Sequence, residues 1–185
     1  KLDGFLGPLS VERLRHGLDP RMARSLLAAT ALAVAEQRAA VSERHLVLGI
    51  AMTNGDLEIF APEVGAVPRS FLADAVQGDD YWIGRRAWVN QHVTAAPPGD
   101  LVFADEVVVT PRVLRYLLEA EALVQGEGRA LIHPLDVVTT IFSDPSGRTR
   151  ELFARDGFDP REVVRRVART VRDSPVRPVE ASAPA

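Results

Sequence analysis

Apolar residues along the chain recur at helical spacing, and the runs are bounded by Asp-Pro, Thr-Pro and Asn-Gly punctuation; period-two alternation is nearly absent. The pattern predicts a helix capped by Asp19 and opened by Pro20, at a position where a missing N–H costs nothing. Leu26, Ala29 and Ala33, with Leu27, Ala31 and Val34 beside them, form its apolar stripe. A second helix starts after Ser42, runs through Leu46, Val47 and Ile50, and stops at Asn54-Gly55; short helices follow at about 57–64 and 68–76. Later in the chain Thr110-Pro111 opens a helix whose buried face is Val113, Leu114, Leu117, Leu118, Ala120 and Val124, ended by Gly126 and Gly128. Pro134 opens the next, residues 148–155 form a short helix, and Asp159-Pro160 caps a last one reaching about Val171. A turn near 10–15 and a hairpin over 87–107 complete the prediction.

Shifting the sequence against itself by 91 positions aligns Pro20, Arg21, Arg24, Leu26, Leu27, Ala29, Ala31, Leu32, Glu36, Arg38, Ala39, Val47 and Ile50 with identical residues, 13 matches over 31 ungapped positions. At a shift of 92, Pro68-Arg69 falls on Pro160-Arg161. The chain therefore reads as a tandem duplication of a helical unit, and a period this long implies two small bundles packed together and not a stacked array. The expected architecture is all-α, two pseudo-symmetric four-helix repeats joined by a long irregular insertion. Residues 1–77 hold an N-terminal extension and the first repeat (core 18–77), 78–108 the insertion, 109–172 the second repeat, and 173–185 a Pro- and Ala-rich tail or linker.

Composition narrows the chemistry. Of 185 residues none is cysteine, which removes disulfides, thiolate metal sites and a cysteine nucleophile. Lys1 is the only lysine, so lysine-based catalysis loses its residue. A net charge of −3 offers no cationic field for a nucleic-acid backbone. No apolar run reaches the length of a membrane span and no signal pattern opens the sequence, so it reads as a cytoplasmic protein without membrane partners. His16, His45, His92 and His133 lack metal-ligand spacing, no phosphate-binding loop is present, and no cofactor is implied. Ser42-Glu43 reads as a helix start. Arg161, Arg165, Arg166, Arg169 and Arg172 read as a solvated basic face.

Two stretches carry a resemblance. Leu18-Asp19-Pro20-Arg21 followed by Val41-Ser42-Glu43-Arg44-His45-Leu46-Val47-Leu48-Gly49-Ile50, and Val109-Thr110-Pro111-Arg112 followed by Ile132-His133-Pro134-Leu135-Asp136-Val137-Val138, are each similar in order and spacing to the repeat of the N-terminal (Clp-N) domain of Clp-type AAA+ unfoldases. The resemblance covers about 18–77 and 109–170, and a weaker match at Leu152–Phe158 ends the second unit. It implies a non-catalytic double Clp-N module that docks protein or peptide substrates and adaptors, and that hands substrates to its own ATPase ring where it is part of a longer unfoldase. Some family members bind phosphoarginine through a Glu and a Thr of each repeat. Those positions here hold Arg44 and Leu135, and Asp19 and Thr110. Arg44 repels a guanidinium and Leu135 cannot pair with one, so phosphoarginine recognition is not expected.

The large amphipathic aromatics concentrate in the insertion. Tyr81, Trp82 and Trp88, with Arg85, Arg86 and, outside it, Arg44, are the candidate partner-binding residues: aromatic anchors with arginines to set charge selectivity. The Asp79-Asp80-Tyr81-Trp82 cluster has a plainer reading as a solvated loop pinned by its rings. The alternative function is a free-standing relative holding a small molecule in the cleft between repeats, for resistance or secondary metabolism, and a third is a structural oligomerisation domain. A gene that continues into a phosphate-loop ATPase favours the docking module.

Overall fold

The computed structural model describes residues 7–53, 106–155 and 157–173. Within them lie two short strands, β1 (Gly7–Ser10) and β2 (Glu106–Val109), and seven helices: α1 (Val11–His16), α2 (Pro20–Ala35), α3 (Glu43–Thr53), α4 (Pro111–Gly126), α5 (Pro134–Ser143), α6 (Arg148–Arg155) and α7 (Pro160–Asp173). The chain is all-α, as its periodicity implies. The short helices predicted at 57–64 and 68–76, the insertion up to residue 105 and the tail beyond residue 173 lie outside the described residues.

Local chemistry sets the helix ends. Asp19 accepts the Arg21 N–H at 2.9 Å and Thr110 accepts the Val113 N–H at 3.4 Å, each immediately before a proline at the first helical position. Both long helices then close through a left-handed residue, Gln37 (φ 56°) after α2 and Gly128 (φ 71°) after α4. The next amide bonds back into the last turn in each case, Arg38 N–H to Ala33 C=O at 2.8 Å and Arg129 N–H to Val124 C=O at 2.9 Å.

The core is one continuous cluster centred on α3 and α5. Both are buried nearly all round: His45 through Met52 in one, Pro134 through Val138 and Thr140 through Phe142 in the other. α2 lies along α3, and α4, α6 and α7 surround α5. Gly49 makes the first of these contacts possible, because a Cβ there would sit 2.4 Å from the Ser25 carbonyl oxygen and 2.8 Å from the Ala29 nitrogen. Phe142, Phe153 and Phe158 knit α5, α6 and the start of α7, the first pair edge-on at 4.8 Å.

Among the described residues, and apart from the β1–β2 pairing, four backbone hydrogen bonds link the helix-entry segments of the two halves, in pairs related by the 91-residue shift. Asp19 N–H donates to Ile132 C=O and Thr110 N–H to Val41 C=O, both at 3.0 Å. Ile132 N–H donates to Gly17 C=O at 3.2 Å and Val41 N–H to Val108 C=O at 3.0 Å. The segment entering the first helix of each half thus lies parallel to the segment entering the second helix of the other, as bridges Leu18 to Ile132 and Val41 to Val109. All four bridging side chains are buried.

Three sequence expectations are corrected. Val34 and Leu118, assigned to apolar faces by spacing, are 69% and 44% exposed. The strand entering α4 pairs antiparallel with β1, in the register Leu9 to Val107; the remainder of the expected hairpin lies outside the described residues. The turn near 10–15 is the helix α1, and this N-terminal extension packs on the second half, where Arg13 forms an ion pair with Glu121 of α4.

Replacing Gly49 by Ala forces backbone atoms apart, and we expect a loss of about 1–3 kcal/mol in chemical denaturation. Replacing Gln37 by Gly relieves a left-handed side-chain residue; stability should rise by about 0.5–1 kcal/mol in the same measurement.

Candidate functional site

Because the two halves exchange their entry segments, helix N-termini meet at two junctions. At one, the start of α2 lies beside the start of α5, with His133 Nε2 3.4 Å from Arg21 Nη1. At the other, the start of α4 lies beside the start of α3, with Arg112 Nε 3.9 Å from the Glu43 carboxylate. Asp19 and Leu135 fall at the first junction, Thr110 and Arg44 at the second.

Matched capping pairs organise them. In the first half the Ser42 N–H donates to His45 Nδ1 at 3.1 Å, and His45 Nε2 lies 2.8 Å from the Glu36 carboxylate, which also pairs with Arg44. In the second, the His133 N–H donates to Asp136 Oδ2 at 2.8 Å, and Arg129 holds Asp136 through two bonds at 3.0 and 2.6 Å while also gripping Glu127. Glu36 and Glu127, Arg38 and Arg129, and His45 and Asp136 stand at equivalent positions, so one scaffold carries a histidine–glutamate pair in one half and an aspartate–arginine pair in the other. Burial, chiefly, pushes both His45 and His133 below the usual imidazole range.

The densest polar cluster centres on Asp144, at the turn between α5 and α6. One of its oxygens accepts the Tyr116 hydroxyl at 2.8 Å and Arg112 Nη1 at 3.1 Å, and meets Arg115 as well; the other accepts the Ser146 N–H at 2.9 Å and hydroxyl at 2.8 Å. Burial opposes its ionisation, but Tyr116, Ser146 and Arg115 together outweigh this and hold the carboxyl at about 2. Burial likewise pushes the Tyr116 phenol up, assisted by its bond to Asp144. Beside this cluster Glu43, from the first half, accepts the Thr149 N–H at 3.1 Å and so caps α6 of the second. Tyr116, Arg112, Arg115 and Ser146 all direct donors at this one carboxylate, which braces α4 against the turn between α5 and α6.

Of the sequence-derived candidates, Tyr81, Trp82, Arg85, Arg86 and Trp88 lie outside the described residues. Arg44 lies at the rim of the α3–α4 junction, engaged with Glu36. Leu135 is buried at the other junction, and Asp19 and Thr110 serve as helix caps. Sequence reading passed over the Asp144 brace, taking 144–147 only as a turn; the available signal was the recurrence of two arginines at the same spacing after Pro20 and Pro111. No group of three or more potential metal ligands occurs among the described residues, and no described helix is long and apolar enough to cross a membrane.

Asp144→Asn should cost about 2 kcal/mol at pH 7, because a carboxyl near 2 when folded and near 3.8 when unfolded favours the folded state wherever it is ionised. That contribution is complete above about pH 4 and is lost as pH falls toward 2, so denaturation curves of the variant and the parent protein should converge on acidification.

No protein-family model matches the sequence, and no curated protein matches it. Among solved structures it is similar to the N-terminal domain of the caseinolytic protease associated chaperone ClpD from Arabidopsis thaliana, with a TM-score of 0.50 and 14% sequence identity over 84% of this chain and 94% of that one. At this identity the likeness concerns architecture, and on that ground the chain has an all-α fold like that of a Clp N-terminal domain.

Proposed function

We infer that the chain is a non-catalytic docking module for protein or peptide ligands, comparable to the substrate- and adaptor-binding N-domain of a Clp unfoldase. The observation that carries this reading is the likeness to a Clp N-domain fold, with Glu43 of one half joined to Thr149 and Arg112 of the other, and with Asp144 and Asp136 paired within the second half. A braced platform suits recognition by surface complementarity, because little ordering is left to be done on binding. Leu118, Leu123, Leu131 and Val34 expose apolar area on the described surface. Segment 78–108 supplies the aromatic anchors Trp82 and Trp88, flanked by Tyr81, Arg85 and Arg86, and Arg44 adds a positive charge at the α3 end of one junction. In a longer chain the module passes its ligand to an ATPase ring.

The small-molecule alternative would have to use the groove lined by Leu9, Leu14, Leu18, Leu114, Leu117 and Ile132, whose enclosed space of about 20 Å³ is far below the ~300–1,000 Å³ of ligand pockets, and this favours the docking reading. An anisotropy titration with dye-labelled β-casein, a permanently unfolded polypeptide, separates the two. Saturable binding is expected, weakened about tenfold or more by combined Trp82→Ala and Trp88→Ala substitution. Absence of casein binding overturns the docking reading, and binding that ignores both substitutions overturns the anchor assignment. Calorimetric titration with free phosphoarginine should give no binding heat; a saturable isotherm lost on substituting Arg44 would contradict the absence of a phosphoarginine site.

A further inference from the structure

Each inter-repeat seam ends against a histidine whose Nδ1 accepts a backbone N–H. His45 is 2% exposed; its Nδ1 accepts the backbone N–H of Ser42 at 3.1 Å and lies 3.0 Å from the Ser42 hydroxyl. A backbone N–H can only donate, so Nδ1 presents a lone pair and the ring proton sits on Nε2, directed at Glu36 2.8 Å away. His133 Nδ1 accepts the backbone N–H of Leu135 at 3.1 Å, which leaves the proton on Nε2; that nitrogen faces Arg21 Nη1 at 3.4 Å where His45 faces a carboxylate. Ser42 directly follows the seam residue Val41, and His133 directly follows the seam residue Ile132.

A second proton on either ring must go to Nδ1, where it would face a backbone N–H in the first turn of α3 or α5, at the positive end of the helix dipole. The Ser42 hydroxyl can turn to accept that proton, but neither backbone N–H can. At His45, Glu36 favours the added proton, while burial, Arg44 and Arg38 oppose it. At His133, Asp19 and Asp136 favour it, while burial, Arg21 from the other half and Arg129 oppose it. In both cases the opposing group prevails.

We propose that the two seams form a proton-operated latch, closed while His45 and His133 are neutral and loosened when they are protonated. Since both rings titrate lower in the folded chain than the ordinary 6.5, the latch is at full strength above about pH 6.5 and weakens as pH falls from there through the folded values. The two histidines stand at different positions of the repeat, yet each exposes the same lone pair to a helix start. At the equivalent places the opposite repeat has Asp136 and Ser42 in place of an imidazole.

The test is amide hydrogen exchange of the full chain by NMR between pH 7.5 and 5, corrected for intrinsic exchange. Protection of the seam amides of Asp19, Val41, Thr110 and Ile132 should fall below pH 6.5, by up to ~10-fold per pH unit for each linked proton, while Ala29 and Ala120 in the middles of α2 and α4 change less. His45→Asp with His133→Ser installs the other repeat's residue at each place and should flatten the response. If that variant does not fold, His45→Asn with His133→Asn keeps an acceptor without a titration and serves the same purpose. The proposal is overturned by seam protection indifferent to pH, by an equal pH response in the substituted chain, by seam and mid-helix amides falling together, or by ¹⁵N shifts placing the neutral ring proton on Nδ1.

Discussion

An amide at the entrance of a helix has no partner inside that helix, and in this chain the missing partner comes from the other copy of the unit. Asp19 and Thr110 each donate across the boundary to Ile132 and Val41, and those residues donate back to the segments entering α2 and α4. Buried amides left without acceptors would cost about 1–3 kcal/mol apiece, so neither half can close its own entry segments alone. The exchange brings α3 and α5 to the centre of a single core, leaves the first helix of each half packed along the second helix of its own half, and draws helix N-termini of the two halves together in pairs.

Around that fixed backbone the polar residues have diverged. Ser25 meets Thr53 at 2.7 Å where the other half has Tyr116 meeting Asp144 at 2.8 Å. His45 faces Glu36 where Asp136 faces Arg129. In each exchange the partner changes so that no buried polar group is left alone, which is the condition for burying such groups at all. The apolar residues that recur unchanged, Leu26 and Leu117 or Ile50 and Ile141, lie in the common core. Gly49, by contrast, stands where the other half has Thr140: the first half closes its helices to backbone contact, and the second spends the same space on a hydroxyl bonded to the Tyr116 carbonyl at 3.3 Å.

In the proposed docking role this arrangement counts through the contacts that tie its parts together. Glu43 of the first half caps α6 of the second, and Asp144 gathers two arginines and a tyrosine from α4. Recognition by such a body depends on what its surface displays, and the N-terminal extension adds to that surface by running β1 and α1 over the outer side of α4.

The sequence by itself determined the described helices α2 to α7 and the self-similarity at a shift of 91. Proline after Asp19 and Thr110, glycine after α4 and the runs from Leu46 and Pro134 are local signals, and the shift of 91 compares residues one by one. It also placed the family-like positions Arg44, Leu135, Asp19 and Thr110. Only the tertiary structure decided that the entry segments trade partners, that residues 7–16 lie on the second half, that Val34 and Leu118 face outward, and that Arg112, Arg115, Tyr116 and Glu43 converge on one turn. Helix propensity and periodicity are properties of neighbours in the chain, whereas a backbone bridge or a buried carboxylate is settled by groups from about 30 to about 110 residues away, whose identity no local pattern encodes.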